Sequence, residues 1–186
     1  MPRKSLVILI GLVILPVATS AQTDFIANLS AGQVVGGTTS MATGAAMMTL
    51  NAAQDTLTYS FLLAGLDLDG LQTPMDSTDD VTAMHFHAAP AGVNGGVVFG
   101  QIAPNHDLDD LVIDPVAGTL MGVWEETDSV TLSSQLANLL AEGLYLNVHT
   151  TMYPGGAIRG QVLPVLVFTD GFESGNTTGW SSTVSP

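Results

Sequence analysis

The chain has 186 residues, 46% of them hydrophobic, with 17 Asp and Glu against 3 Lys and Arg, 4 His and no Cys, for a formal charge of −14. That is enough apolar material for one core of ordinary size. It excludes a disulfide scaffold, a Cys-ligated zinc or iron–sulfur site, and a phosphate-tracking nucleic-acid binder, which needs clustered basic residues.

Residues 1–21 read as a secretory signal peptide. Arg3 and Lys4 form a positive start, 6–18 is apolar, and Ala18-Thr19-Ser20-Ala21 offers small residues for cleavage before Gln22. The apolar run is shorter than the roughly 20 residues a bilayer span needs. No later stretch is long and apolar enough, so no transmembrane span is expected after cleavage. Cleavage leaves Arg159 as the one Lys or Arg against 17 acids, a net charge of −16. Such a chain repels nucleic acid and anionic lipid and attracts cations. Export without cysteine suits a bacterial protein of the periplasm, cell surface or medium.

The body, 22–168, reads as β, with period-two alternation between turn residues. Strands are expected at 24–29, 44–50, 56–63, 81–87, 96–102, 119–125, 144–152 and 157–162. In 56–63, Leu57, Tyr59, Phe61 and Leu63 take one face. Tyr153-Pro154-Gly155-Gly156 marks a hairpin between the last two strands. One segment departs from the pattern. Leu132, Leu136, Leu139 and Leu140 fall at helical spacing, which predicts one short helix over about 131–142. Acidic loops are expected at 67–80, which reads as exposed, and at 105–110. The fold class is all-β: an antiparallel β-sandwich or partly closed barrel of seven or more strands with one short helix. Residues 169–186, rich in Gly, Ser and Thr, read as a flexible C-terminal tail.

His85 and His87 are two apart on an expected strand, so both imidazoles leave one face, about 7 Å apart along the chain. His149 on another strand could complete a three-imidazole set for copper or zinc. His106 is a weaker fourth candidate. Met47, Met48, Met84 and Met152 would suit Cu(I) if they gathered with these rings, though alternating Met is more often core. Equally, His85 and His87 could be outward polar residues held by backbone carbonyls. On the last hairpin, Asn147, Arg159 and Gln161 are candidate structural or binding residues, with a structural clamp the simpler reading. Whether Arg159 shares a face with His149 depends on loop length, because one residue of register reverses the answer. A two-residue loop sets His149 opposite Gly160, and a three-residue loop sets it opposite Arg159 or Gln161. Calcium is a weaker reading. Asp67, Asp69 and 76–80 offer oxygens, but the Glu of an EF-hand loop is missing.

No G-x-S-x-G elbow, H-E-x-x-H, Cys nucleophile or Walker-type loop is present, so a hydrolase reading lacks its parts. A paired-carboxylate glycosidase stays open, though few aromatics are available to stack a sugar.

Phe25-Ile26-Ala27-Asn28-Leu29-Ser30-Ala31-Gly32-Gln33, Met84-His85-Phe86-His87 with Pro90 and Gly95-Gly96-Val97-Val98, and Tyr145-Leu146-Asn147-Val148-His149-Thr150 with Pro154-Gly155-Gly156-Ala157-Ile158-Arg159-Gly160-Gln161 resemble the CHRD domain. This module is repeated in chordin, a growth-factor antagonist, and occurs singly in exported microbial proteins. Ala157 stands where the family has Glu, and Gln33-Val34-Val35-Gly36 replaces its Q-E-V-P. The resemblance implies an all-β module outside the cytoplasm with no catalytic activity attached. The H-x-H pair is also similar, locally, to the copper strand of copper/zinc superoxide dismutase. The tail segment Asp170-Gly171-Phe172-Glu173-Ser174-Gly175 resembles one that recurs near the ends of exported bacterial proteins. The expectation is therefore an exported, non-enzymatic module binding an extracellular or envelope protein or polymer. The alternatives are a copper- or zinc-binding protein using His85, His87 and His149, and a cell-envelope adhesion protein displayed through its tail.

Overall fold

The computed structural model describes residues 21–165, so the expected signal segment, apart from Ala21, and the expected tail lie outside the described residues. Ten strands are present: β1 (Thr23–Ser30), β2 (Thr43–Leu50), β3 (Thr56–Ala64), β4 (Val81–Ala88), β5 (Gly96–Ile102), β6 (Val112–Asp114), β7 (Thr119–Glu125), β8 (Leu144–Thr150), β9 (Ile158–Gln161) and β10 (Leu163–Pro164). They form one antiparallel sheet in the order β5-β4-β8-β9-β1-β2-β3-β7-β6, with β10 also on β1. Alternation makes these strands what they are. In β3, Leu57, Tyr59, Phe61 and Leu63 are buried while Thr58, Ser60 and Leu62 face out.

The sheet curls over its own core. Phe99 on β5 and Trp124 on β7 stand near opposite ends of the strand order, yet their rings stack at 4.4 Å. Phe86 on β4 lies 5.5 Å from Trp124 and 6.2 Å from Phe61 on β3. Of the two architectures expected, this is the partly closed barrel.

The expected helix over 131–142 is smaller than its Leu spacing suggested. It consists of a 3₁₀ turn, Leu132–Ser134, and one five-residue helix, α1 (Leu136–Leu140). Side chains hold the first turn tight. The Ser133 amide donates to Glu126 Oε1 at 2.7 Å, and the Ser134 hydroxyl donates to the Thr131 carbonyl at 2.6 Å. Leu132 and Leu139 enter the core, while Leu140 is exposed.

The 67–80 loop also corrects the sequence reading, because Asp67 is buried. Its carboxylate accepts the amides of Asp69, Gly70, Gln72 and Thr73, and the Thr73 hydroxyl. Burial pushes its pKa up, but these donors outweigh that and hold it down at about 2. A carboxylate filled by N–H donors is organised to order a loop. No helix among the described residues is long and apolar enough to cross a membrane.

The site is positioned where β4 and β8 are buried on both faces. One face sends Met84, Phe86, Leu146 and Val148 into the core. The other carries His85, His87, Tyr145 and Asn147, and the loop 89–95 closes over it.

Candidate metal centre

Register brings the polar residues together. His85 faces Asn147 and His87 faces Tyr145 across β4 and β8. Asn147 faces Arg159 and Tyr145 faces Gln161 across β8 and β9. His149, two residues beyond Asn147, leaves the same face. The hairpin loop is longer than either case considered from sequence. Pairing ends at Val148 and Ile158, so His149 does not oppose Arg159, Gly160 or Gln161. Seven residues, 151–157, turn the chain, and Arg159 nevertheless shares the face of His149.

The three imidazoles converge. A ring nitrogen from each of His85, His87 and His149 lies within 4.8 Å of the other two. His85 is central, with ring centroids 4.8 Å from His87 and 4.7 Å from His149. His87 Nδ1 is 3.0 Å from the Gly95 carbonyl and His149 Nδ1 is 2.9 Å from the Pro154 carbonyl. A carbonyl only accepts, so each Nδ1 carries the hydrogen and each Nε2 keeps its lone pair. His85 Nδ1 stands 2.8 Å from His87 Nε2. Two imidazoles anchored by carbonyls on Nδ1, each keeping Nε2 as an acceptor, suit a metal ligand set; here His85 Nδ1 donates to His87 Nε2. A tetrahedral ion with N ligands spaces them about 3.4 Å apart, between the 2.8 Å from His85 Nδ1 to His87 Nε2 and the 4.8 Å that bounds the group.

Burial keeps the rings neutral. It pulls the pKa of His85 down to about 4, helped by its two imidazole neighbours. Burial likewise lowers His87 and His149, against the opposing pull of the Gly95 and Pro154 carbonyls. Because the folded-state pKa lies below the ordinary 6.5 or so, the unfolded chain binds more protons between pH 6.5 and 4. The His85 contribution to stability is therefore present above pH 6.5 and lost as pH falls toward 4. Asp128, pushed up to about 6 by burial, acts in the opposite sense. The expected result is that the urea midpoint of wild type falls more steeply than that of His85→Gln between pH 6.5 and 4; parallel curves would contradict the assignment.

Around the trio the loop 89–95 is clasped from below. Arg159 Nη2 donates to the Pro90 and Val93 carbonyls at 3.3 and 2.9 Å, and Nη1 donates to Asn94 Oδ1 at 3.2 Å. Its guanidinium lies 3.4 Å over the Tyr145 ring, whose other neighbour is His87, stacked at 4.8 Å. Gln161 Nε2 donates to the carbonyls of Glu142, Leu144 and Ala89. Tyr145 and Gly95 escaped sequence reasoning. Tyr145 was findable, since it stands two residues before Asn147 on the same strand. Gly95 was not, because its role comes from backbone: its carbonyl receives His87 and its amide donates to the Tyr145 hydroxyl.

His106 does not join the trio; its Nδ1 accepts the Gly100 amide. The methionines do not gather either. Met48 and Met84 are in the core, Met84 on the face of β4 opposite His85, while Met47 and Met152 are exposed. A second group, Asp107, Asp109 and Asp110, lies in the loop after β5. There Asp107 takes the Tyr59 hydroxyl and the amides of Asp110 and Leu111.

Fold and site together define a curled, all-antiparallel β domain with a histidine cluster buried on the non-core face of its sheet. Residues 25–162 match the CHRD domain family model, and the chain belongs to that family. No curated protein and no solved structure matches it.

Proposed function

We propose that this CHRD protein is exported and serves as a non-enzymatic binding module that holds one copper or zinc ion through His85, His87 and His149. The observation that carries the reading is the convergence of three neutral imidazoles, two of them anchored by backbone carbonyls on the nitrogen that faces away. The 17 acids supply a field that draws cations toward the domain. Export rests on the basic start, apolar run and small-residue site of 1–21.

The test is elemental analysis and thermal melting of the purified mature chain. One equivalent of copper or zinc is expected, and melting is expected to rise by about 5–10 °C at a hundredfold excess of metal over Kd. His85→Gln should lose both. Protein that takes up neither metal and melts unchanged would remove the reading.

A further inference from the structure

Three imidazoles fill three of the four positions around a tetrahedral ion. Asn147 stands beside them, with its Nδ2 3.2 Å from His149 Nε2, to which it donates. The residue is 6% exposed. Its Oδ1 is buried and accepts no hydrogen bond among the described residues. A buried carbonyl oxygen without a donor is destabilising, so this oxygen needs a partner. That partner must be small. The amide lies against Gly156, where φ is +128° and an added Cβ would stand 2.5 Å from Oδ1. A side chain at 156 has no room.

Resting on the three-histidine reading above, we propose that Asn147 Oδ1 is the fourth ligand of the same ion. A half-turn of the amide exchanges Oδ1 and Nδ2. Nδ2 now donates to His149 Nε2 and, at 3.4 Å, to the Gly155 carbonyl; after the exchange Oδ1 takes its place beside His149 and Nδ2 turns toward Gly156. The 3.2 Å separation matches the roughly 3.4 Å between ligands of a tetrahedral ion. The site then closes with three nitrogens and one oxygen from protein. Four protein ligands leave no position for an activated water, so such a site keeps an ion and does not turn over a substrate.

Co²⁺ is the probe, because its visible bands report the ligands around it. Wild type is expected to bind Co²⁺ with bands that azide leaves unchanged. Asn147→Ala should bind about 10–100-fold more weakly, and azide should shift its bands by entering the opened position. Asn147→Asp keeps the shape and supplies an anionic oxygen, so it should bind more tightly than wild type and stay azide-insensitive. It carries the test if Asn147→Ala does not fold. Wild type that binds Co²⁺ but responds to azide as Asn147→Ala does, or Asn147→Asp that binds no more tightly, would overturn the fourth ligand alone. Wild type that takes up no Co²⁺ would overturn the three-histidine site with it.

Discussion

Trp124→Ala will lower stability by about 3–5 kcal/mol and melting by on the order of 10 °C. Trp124 is fully buried, and its ring stacks on Phe99 at 4.4 Å and approaches Phe86 at 5.5 Å. It therefore joins β7 to β5 and β4 across the interior, where no backbone pairing links them. Its removal leaves a large cavity where the two ends of the sheet meet. It also strips the Val130 carbonyl of the Nε1–H donor now 2.7 Å away. Trp124→Phe keeps part of the ring and loses only the polar contact and some volume, so its loss should be clearly smaller. Thermal melts of the two variants settle the matter. Equal losses would mean that the hydrogen bond to Val130, and not the stacked ring, carries the stability.

The second large effect is expected at Arg159. Arg159→Met keeps most of the aliphatic stem but removes three charge-assisted hydrogen bonds to the 89–95 loop and the stack on Tyr145. A cost of about 2–4 kcal/mol follows from such bonds and a desolvated cation–π contact. The loop acceptors are near solvent and partly recover water, which keeps the figure from being larger. Arg159→Lys should not rescue, because a point charge can neither reach three acceptors in a plane nor stack flat. Urea unfolding gives the stability. Faster hydrogen exchange at the Gly95 amide, now held by the Tyr145 hydroxyl, would show the loop released. A lysine variant as stable as wild type would contradict the fork-and-stack account.

Alternation carried much of this into view from sequence. It placed His85 beside His87 on one face, set Leu57, Tyr59, Phe61 and Leu63 inward, and located eight of the ten strands. β6 and β10 escaped it because they are only three and two residues long and show no period. The hairpin register was hidden for a different reason. A seven-residue loop with its own hydrogen bonds has no fixed parity, so the alignment of Asn147 with Arg159 depends on the whole sheet. Asp67 misled as well. A carboxylate in an acidic run looks solvated until the backbone is seen to wrap around it. The clasp of Arg159 on 89–95 is a contact across some 70 positions of chain, and no local pattern records it.

Arg159 has one more consequence. It is the only Lys or Arg side chain among the described residues, and it is 2% exposed. The outside of this domain thus presents negative side-chain charge with no basic counterweight. An approaching dication meets attraction from every bearing, without needing a particular orientation, and added electrolyte damps that pull beyond a Debye length of about 8 Å at physiological strength. Encounter rates with such ions would then depend on salinity more than on the shape of any one opening.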